Sequence, residues 1–378
     1  MNPPEKKIVF IHSDKLDENG YPDDCPFSSR RAGMTLSTID SLGILAYSNV
    51  SIVEPEMLDE SELLKFHTPE YLEVLKQSSF GEHNYKALKM GLGTPDCPIF
   101  KDMFNYSVLA AGGTVTGAQL LIDNKADIVF NASGGFHHAK PSAAAGFCYI
   151  NDIVLGVKKL IDADKKVMVI DIDAHHFDGV QDAFYDTDKV TCISFHEDGK
   201  TLFPGTGDLP EIGDGAGLGF TVNVPLPVGT YDDVFKKAFM EIVLPKIEMD
   251  KPDVLVVELG MDGLAGDPLA HLNLSNNVYA DITDTLNNLN IPMLITGGGG
   301  YNVNDTVRGW ALSFGTLVEG KHDDLLIAGM GGVMLENTAW FGGLRDRTLV
   351  THSGYRKDVD EKIEFAINFH KEHTLKKI

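Results

Sequence analysis

Short runs of consecutive apolar residues alternate with longer stretches of helical periodicity along this chain. Residues 7–11 (Lys-Ile-Val-Phe-Ile) predict a first strand. Residues 59–75 predict a helix, with apolar positions at Leu63, Leu64, Phe66, Tyr71, Leu72 and Leu75. A second helix is expected over 108–122, where alanine and glycine allow close packing, and a third over 150–163. Between these two helices, 126–130 reads as a short strand. Residues 166–171, 190–195, 252–259 and 291–296 are continuous apolar runs rather than alternating ones, as strands buried on both faces require. A long helix is expected over 231–249. Such alternation predicts a parallel sheet covered by helices on both faces. The strand rhythm is lost after about residue 321, and 358–376 reads as a closing helix. With no linker or repeat in view, a single domain spanning 1–378 is expected, its motifs lying within about 8–320 and a helical closure within 321–378.

Composition narrows the function. The chain of 378 residues carries 32 Lys and Arg against 55 Asp and Glu, a formal net charge of −23. That balance argues against nucleic acid or an anionic membrane as a partner, and it suits solubility or a cationic substrate. No run approaches the ~20 apolar residues needed to span a bilayer. The first seven residues have no secretory apolar stretch. Four cysteines, Cys25, Cys97, Cys148 and Cys192, include no Cys-x-x-Cys pair. A reducing, cytoplasmic setting is therefore expected. The 38 glycines exceed the usual ~7% and gather in clusters.

In a sheet of this kind ligands bind beyond the carboxyl ends of the strands. Ionisable residues collect there. After Phe130 comes Asn-Ala-Ser-Gly-Gly-Phe-His-His, ending at His137 and His138; after Ile170 comes Asp-Ile-Asp-Ala-His-His-Phe-Asp, from Asp171 to Asp178. After Leu259 comes Gly-Met-Asp, ending at Asp262, and after Thr296 come four glycines and Tyr301. Asp173 and His175, two apart on extended chain, point to one side. With Asp262 they form an oxygen and nitrogen set suited to a catalytic zinc or iron with an open position. Asp171 and Asp178 are available to receive imidazole N–H groups, which would fix a tautomer and raise basicity. The adjacent histidines face opposite ways on extended chain, so only a loop turns both toward one site. The glycine run lacks the pattern of a nucleotide loop, and it would free Tyr301 to reach an oxyanion. Main-chain oxygens of Asp171, Asp173 and His175, with Ser194 and Phe195, could hold a monovalent ion.

These segments together resemble the zinc-dependent histone deacetylase family, which includes bacterial acetoin-utilisation proteins and acetylpolyamine amidohydrolases. The matching motifs are Gly-Gly-Phe-His-His-Ala at 134–139, Gly-Phe-Cys-Tyr-Ile-Asn-Asp at 146–152 and Asp-Ile-Asp-Ala-His-His at 171–176. Phe-Pro-Gly-Thr-Gly-Asp at 203–208, Asp262 with Leu-Ala-Gly-Asp-Pro at 264–268, and 297–302 follow in family order. The resemblance implies an arginase-like three-layer α/β/α fold with a central parallel sheet of about eight strands. It implies zinc on Asp173, His175 and Asp262, with iron an option in the cell, and potassium at the inner main-chain site. His137 and His138 would pair with Asp171 and Asp178, with His138 the general base, and Tyr301 would polarise the acyl carbonyl. Phe147, with Gly146 before it, and Phe203 would wall the tunnel for an acyl-lysine stem. Asp96 would be the rim carboxylate, Arg31 would lie at the inner cavity, and Leu269 would stand at the gatekeeper position.

Three positions depart from the family pattern. Phe177 replaces a glycine, Phe136 a tryptophan and Met261 a small residue. Phe177, between His176 and Asp178, is expected to perturb the surroundings of His138, and Met261 to perturb the acyl pocket. The leading expectation is a hydrolase of acetyl or related short acyl groups on lysine. An apolar Leu269 favours acyl-lysine over small acylated amines such as acetylpolyamines. A two-metal ureohydrolase on the same fold and a catalytically silent acyl-lysine binding module are the other readings.

Overall fold

The computed structural model describes residues 6–18, 20–81, 85–320, 343–347, 349 and 353–376. The apolar runs become eight parallel strands: β1 Ile8–Ile11, β2 Val50–Val53, β3 Ile128–Asn131, β4 Val167–Asp171, β5 Val190–Glu197, β6 Thr221–Leu226, β7 Val254–Glu258 and β8 Met293–Thr296. They form one sheet in the order β2-β1-β3-β8-β7-β4-β5-β6. Helices cover it in chain order: α1 Asp14–Glu18, α2 Arg31–Ser41, α3 Glu60–Leu63, α4 Pro69–Ser78, α5 Tyr85–Lys89, α6 Met103–Ile122, α7 Asp152–Asp162, α8 Asp178–Phe184, α9 Asp232–Asp250, α10 Asn276–Asn287, α11 Val303–Glu319 and α12 Ser353–His373.

The strand order explains where the site forms. β3 and β4 are consecutive in sequence yet separated in the sheet, because the later strands β7 and β8 fill the gap between them. The four central strands are therefore β3, β8, β7 and β4. Their carboxyl ends lead into the segments that carry His137 and His138, the four glycines, Asp262, and Asp173 with His175. The register pairs Asp171 with Glu258 and Asn131 with Thr296, so these strand ends lie level.

Some expectations change. The helix over 59–75 is two short helices. Asp59 caps α3 by accepting from the Glu62 N–H, and Thr68 caps α4 by accepting from the Tyr71 N–H. Pro69 in the first turn of α4 has no N–H to donate to a preceding turn, and Thr68 before it is extended at φ −73°, ψ 145°. The apolar spacing continued across this break because both helices bury the same side. β2 and β6 were not foreseen. They are the two edges of the sheet, β2 is half-exposed, and β6 contains Pro225, a residue that edge strands tolerate. The closing helix begins at Ser353, five residues before the expected start. It is tied down by His370, whose Nε2–H donates to the Asn223 carbonyl at 2.8 Å, and by the buried Lys246 ammonium, which donates to the Thr374 carbonyl. The reading of residues 321–342 lies outside the described residues. Among the described residues no helix is long and apolar enough to cross a membrane.

Candidate active site

The loop after β3 turns both tandem histidines to one place. Asp152, fully buried at the start of α7, accepts the Phe136 N–H at 2.7 Å, the Gly135 N–H at 3.0 Å and the Thr114 hydroxyl. Asn151 caps α7 and its amide also donates to the His137 and Ala139 carbonyls, at 3.2 and 3.0 Å. Gly179 of α8 leaves room for those two carbonyls; a Cβ there would stand 2.5 Å from one and 2.6 Å from the other. Held so, the two imidazoles meet edge to face with centroids 4.0 Å apart and Nε2 atoms 2.9 Å apart.

Each imidazole has a carboxyl behind it, as the sequence suggested. His137 Nδ1 donates to Asp171 at 2.9 Å, and His138 Nδ1 donates to Asp178 at 2.7 Å. A further carboxyl, Glu258, receives His137 Nδ1 at 2.6 Å. The two imidazoles titrate in opposite directions. Burial, then the neighbouring His137, lowers His138 to about 3, so its ring is neutral at neutral pH. Burial also works against a charge on His137, but Asp171 and Asp173 outweigh it and raise that ring. A neutral imidazole beside a more basic one suits His138 to accept a proton.

Beyond β4, Asp173, His175 and Asp262 converge. His175 Nδ1 lies 3.1 Å from Asp173 Oδ1 and 2.8 Å from Asp262 Oδ2. Backbone donors hold the carboxylates. Gly299 N–H reaches Asp173 Oδ2 and Ala174 N–H reaches Asp262 Oδ1, both at 2.7 Å. Glycine is required at the close approaches. A Cβ on Gly260 would lie 2.1 Å from Asp173 Oδ2, and one on Gly299 would lie 2.0 Å from Asp262 Oδ2. The donor chemistry fits a divalent cation. Two buried carboxylates face one imidazole, and burial, then the neighbouring Asp173, pushes the Asp262 carboxyl up. Among the described residues two other groups also bring three potential ligand atoms together: His137 with Asp171 and Glu258, and His12 with Asp14 and Asp17.

Aromatic rings flank this centre. Phe147 lies 5.6 Å from Tyr301, and Phe203 lies 5.0 Å from His138 and 6.4 Å from His175. Gly146, at φ +52°, passes so close to His138 that a Cβ would meet its Cδ2 at 2.4 Å. Asp96 is turned to the protein here: its carboxylate accepts the Gly146 N–H at 3.1 Å and its carbonyl the Phe147 N–H at 2.8 Å. Leu269 packs against the apolar cluster that contains Phe136 and Phe147. The Tyr301 ring meets His175 edge-on at 6.2 Å. Burial and then Asp262 raise its phenol well above the ordinary value, which keeps the O–H a donor. Asp267 places this tyrosine by accepting its N–H at 2.7 Å. Arg31 supports the same loop from beneath, donating to the Gly300 and Gly298 carbonyls at 2.8 and 2.9 Å, with its guanidinium over Phe27 and Trp310.

The histone deacetylase domain model matches residues 25–317. This chain belongs to the histone deacetylase family. It is 38% identical over 316 residues to histone deacetylase 9 of Arabidopsis thaliana, an alignment covering 83% of this chain and 74% of that protein. It is 36% identical to histone deacetylase RPD3 of Saccharomyces cerevisiae, covering 83% and 72%. Among solved structures, a histone deacetylase homologue from Aquifex aeolicus superposes with a TM-score of 0.85 at 30% identity, over 96% of this chain and all of that one. The chain is thus a deacetylase-type hydrolase with the arginase-like fold of its family.

Two departures from the family pattern, Phe177 and Met261, are buried in apolar packing. Phe177 lies at φ −73°, ψ 51°, the centre of an inverse γ-turn closed by the Asp178 N–H on the His176 carbonyl at 2.8 Å, so its negative φ does not require glycine; its fully buried ring joins the apolar cluster of Val154, Val169 and Val180. Asp178 still reaches His138 at 2.7 Å, so this imidazole–carboxylate pair is intact beside Phe177. Met261 is buried in the cluster that contains Leu259, Leu264 and Trp310. A Cβ on Gly309 of α11 would stand 2.6 Å from its sulfur. Sequence reasoning missed Glu258, because it ends an apolar run read only as a strand; an acid there, four residues before Asp262, was the available signal. It also passed over Asp152, Asn151 and Asp267, which act through backbone amides.

Proposed function

We propose that this chain is a zinc-dependent amide hydrolase that removes acetyl or related short acyl groups from lysine side chains. The observation that carries this reading is the convergence of Asp173, His175 and Asp262 with the tandem histidines and Tyr301 in one buried centre. Asp173, His175 and Asp262 would hold the ion; zinc suits the donor set, and ferrous iron is the alternative. Bound there, such an ion supplies a water of lowered pKa and a Lewis acid for the acyl carbonyl.

The remaining work belongs to the chain. His138, kept neutral and oriented by Asp178, takes a proton from the attacking water and returns it to the departing amine. His137, more basic and backed by Asp171, adds positive charge beside the developing oxyanion. The Tyr301 hydroxyl donates a hydrogen bond to that oxyanion. Phe147 and Phe203 clasp an extended methylene stem between their rings, which favours the lysine side chain. The Asp173 and His175 carbonyls accept no hydrogen bond among the described residues, which supports a potassium ion held with Asp171, Ser194 and Phe195. The single domain over 1–378 remains part of this reading.

The test is hydrolysis by purified, zinc-loaded protein across acetyl-, propionyl-, butyryl- and longer acyl-lysine peptides, with acetylputrescine and acetylspermidine beside them. Preference for an acyl-lysine peptide, with one zinc per chain, is expected. Preference for the free amines, or two catalytic metals per chain, would overturn it.

A further inference from the structure

Glu258 is the one carboxyl at this centre to which the proposed reaction gives no role. It ends β7 inside the sheet, fully buried, directly paired in register with Asp171 of β4. Its Oε2 lies 2.6 Å from His137 Nδ1, closer than Asp171 at 2.9 Å, while its Oε1 has no hydrogen-bond partner. Gly298 leaves the space it occupies; a Cβ there would stand 2.6 Å from Oε1. The chain thus places a polar group at the end of an apolar strand, where leucine would fill the volume without a desolvation penalty.

Glu258 shares its dry space with Asp171, and burial, followed by Asp171, pushes its carboxyl above the usual range. A neutral carboxyl still offers a carbonyl oxygen to the Nδ1–H of His137.

We infer that Glu258 is a positioning residue for the hydrolysis: it gives the His137 Nδ1–H a second acceptor from a second strand and so fixes the plane of that ring against His138. One acceptor leaves an imidazole free to swing about the hydrogen bond; two acceptors on neighbouring strands remove that freedom. The His137 Nε2, 2.9 Å from the His138 Nε2, then stays aimed at the reacting centre. This role rests on the hydrolase reading above.

Glutamine has the same shape as neutral glutamate and keeps the acceptor, whereas methionine fills the volume and offers none worth the name. The experiment compares E258Q with E258M as zinc-loaded proteins. Four quantities are read: kcat and KM on the best acyl-lysine peptide, zinc content, melting temperature, and the proton NMR signal of the His137 Nδ1–H. E258Q is expected to stay near wild type. E258M is expected to lose about 10- to 100-fold in kcat, the usual effect of removing a ligand's or base's hydrogen-bonded support, with KM and zinc unchanged. Its Nδ1–H signal moves upfield as the hydrogen bond weakens. Full kcat in E258M, or equal loss in E258Q and E258M, would overturn the inference. If the wild type hydrolyses none of the acyl substrates, the activity reading fails by itself. The Nδ1–H signal still decides whether Glu258 holds His137.

Discussion

Replacing Arg31 with lysine keeps the charge and removes the fork. Arg31 is 3% exposed and spends its donors on three main-chain oxygens, those of Ser28, Gly298 and Gly300, at 2.8–3.0 Å. A lysine ammonium is a point donor and cannot span the Gly298 and Gly300 carbonyls together. Hydrogen bonds to charged groups contribute about 1.5–3 kcal/mol each, so losing two costs ~3 kcal/mol at the low end. An unfolding entropy of ~2.1 cal/mol/K per residue gives roughly 0.8 kcal/mol/K over this chain, and the melting temperature should fall by about 4 °C. Gly300 is followed at once by Tyr301, so the loosened loop also moves the phenol. A displacement of ~1 Å at a reacting group costs about 100-fold in rate. Calorimetry and kcat on an acetyl-lysine peptide read the two effects. If Arg31 instead serves only to draw a small acid through an inner cavity, lysine would do as well. An R31K protein with wild-type kcat and a melting temperature within about 1 °C would refute the loop-clamp reasoning.

Other perturbations test neighbouring parts of the argument. Tyr301→Phe removes the proposed oxyanion donor and leaves Asp173, His175 and Asp262 in place; kcat should fall about 10²- to 10³-fold while zinc content, read by atomic absorption, stays at the wild-type level. Gly299→Ala would push a methyl group to within 2.0 Å of Asp262 Oδ2. Zinc affinity in an equilibrium competition assay should drop sharply, and retained affinity would show that the loop yields. Buried His67 and His370 are both lowered to about 4 by burial. Their folded pKa lies below the unfolded ~6.5, so the unfolded chain binds these protons first and stability falls as pH drops from about 6.5 to 4. Each should cost about 2 kcal/mol between pH 7 and pH 5. Urea unfolding should therefore show a smaller loss over that interval in His370→Gln than in wild type.

Much of the centre was legible because its residues sit where apolar runs stop. An ionisable group inside a buried strand is too costly to keep without a task, so the acids and imidazoles crowd the strand ends and become visible in sequence. The order of the strands was not legible. Nothing in the runs at 254–258 and 293–296 says that they slot between β3 and β4, and it is that insertion which brings Asp262 and Tyr301 to His137. The edge strands escaped for the opposite reason: half-exposed β2 has no continuous apolar run to betray it. Glu258 escaped because the apolar run concealed it. Arg31 was foreseen beside the inner cavity, but its grip on two glycine carbonyls depends on α2 meeting the β8 loop, a contact across 267 residues of sequence.

Sequence neighbours of a functional residue need not share its space. The described core divides into three apolar clusters. Phe136, Phe147, Leu269 and Tyr301 share one, Met261 lies in a second and Phe177 in a third. Asp262 reaches His175, while the sulfur of Met261, one residue earlier, packs against Gly309 of α11. A change at Met261 should then act on packing and not on acyl choice. Met261→Ala empties a fully buried site and should cost about 2–5 kcal/mol, read as a lower urea midpoint. Its ranking of acetyl-, propionyl- and butyryl-lysine peptides should match wild type. Phe136 and Leu269, which share the cluster of the tunnel rings, are where substitution should reorder that ranking. A Met261→Ala enzyme that keeps its stability and gains longer acyl groups would place the methionine in the acyl pocket after all and break the division by cluster.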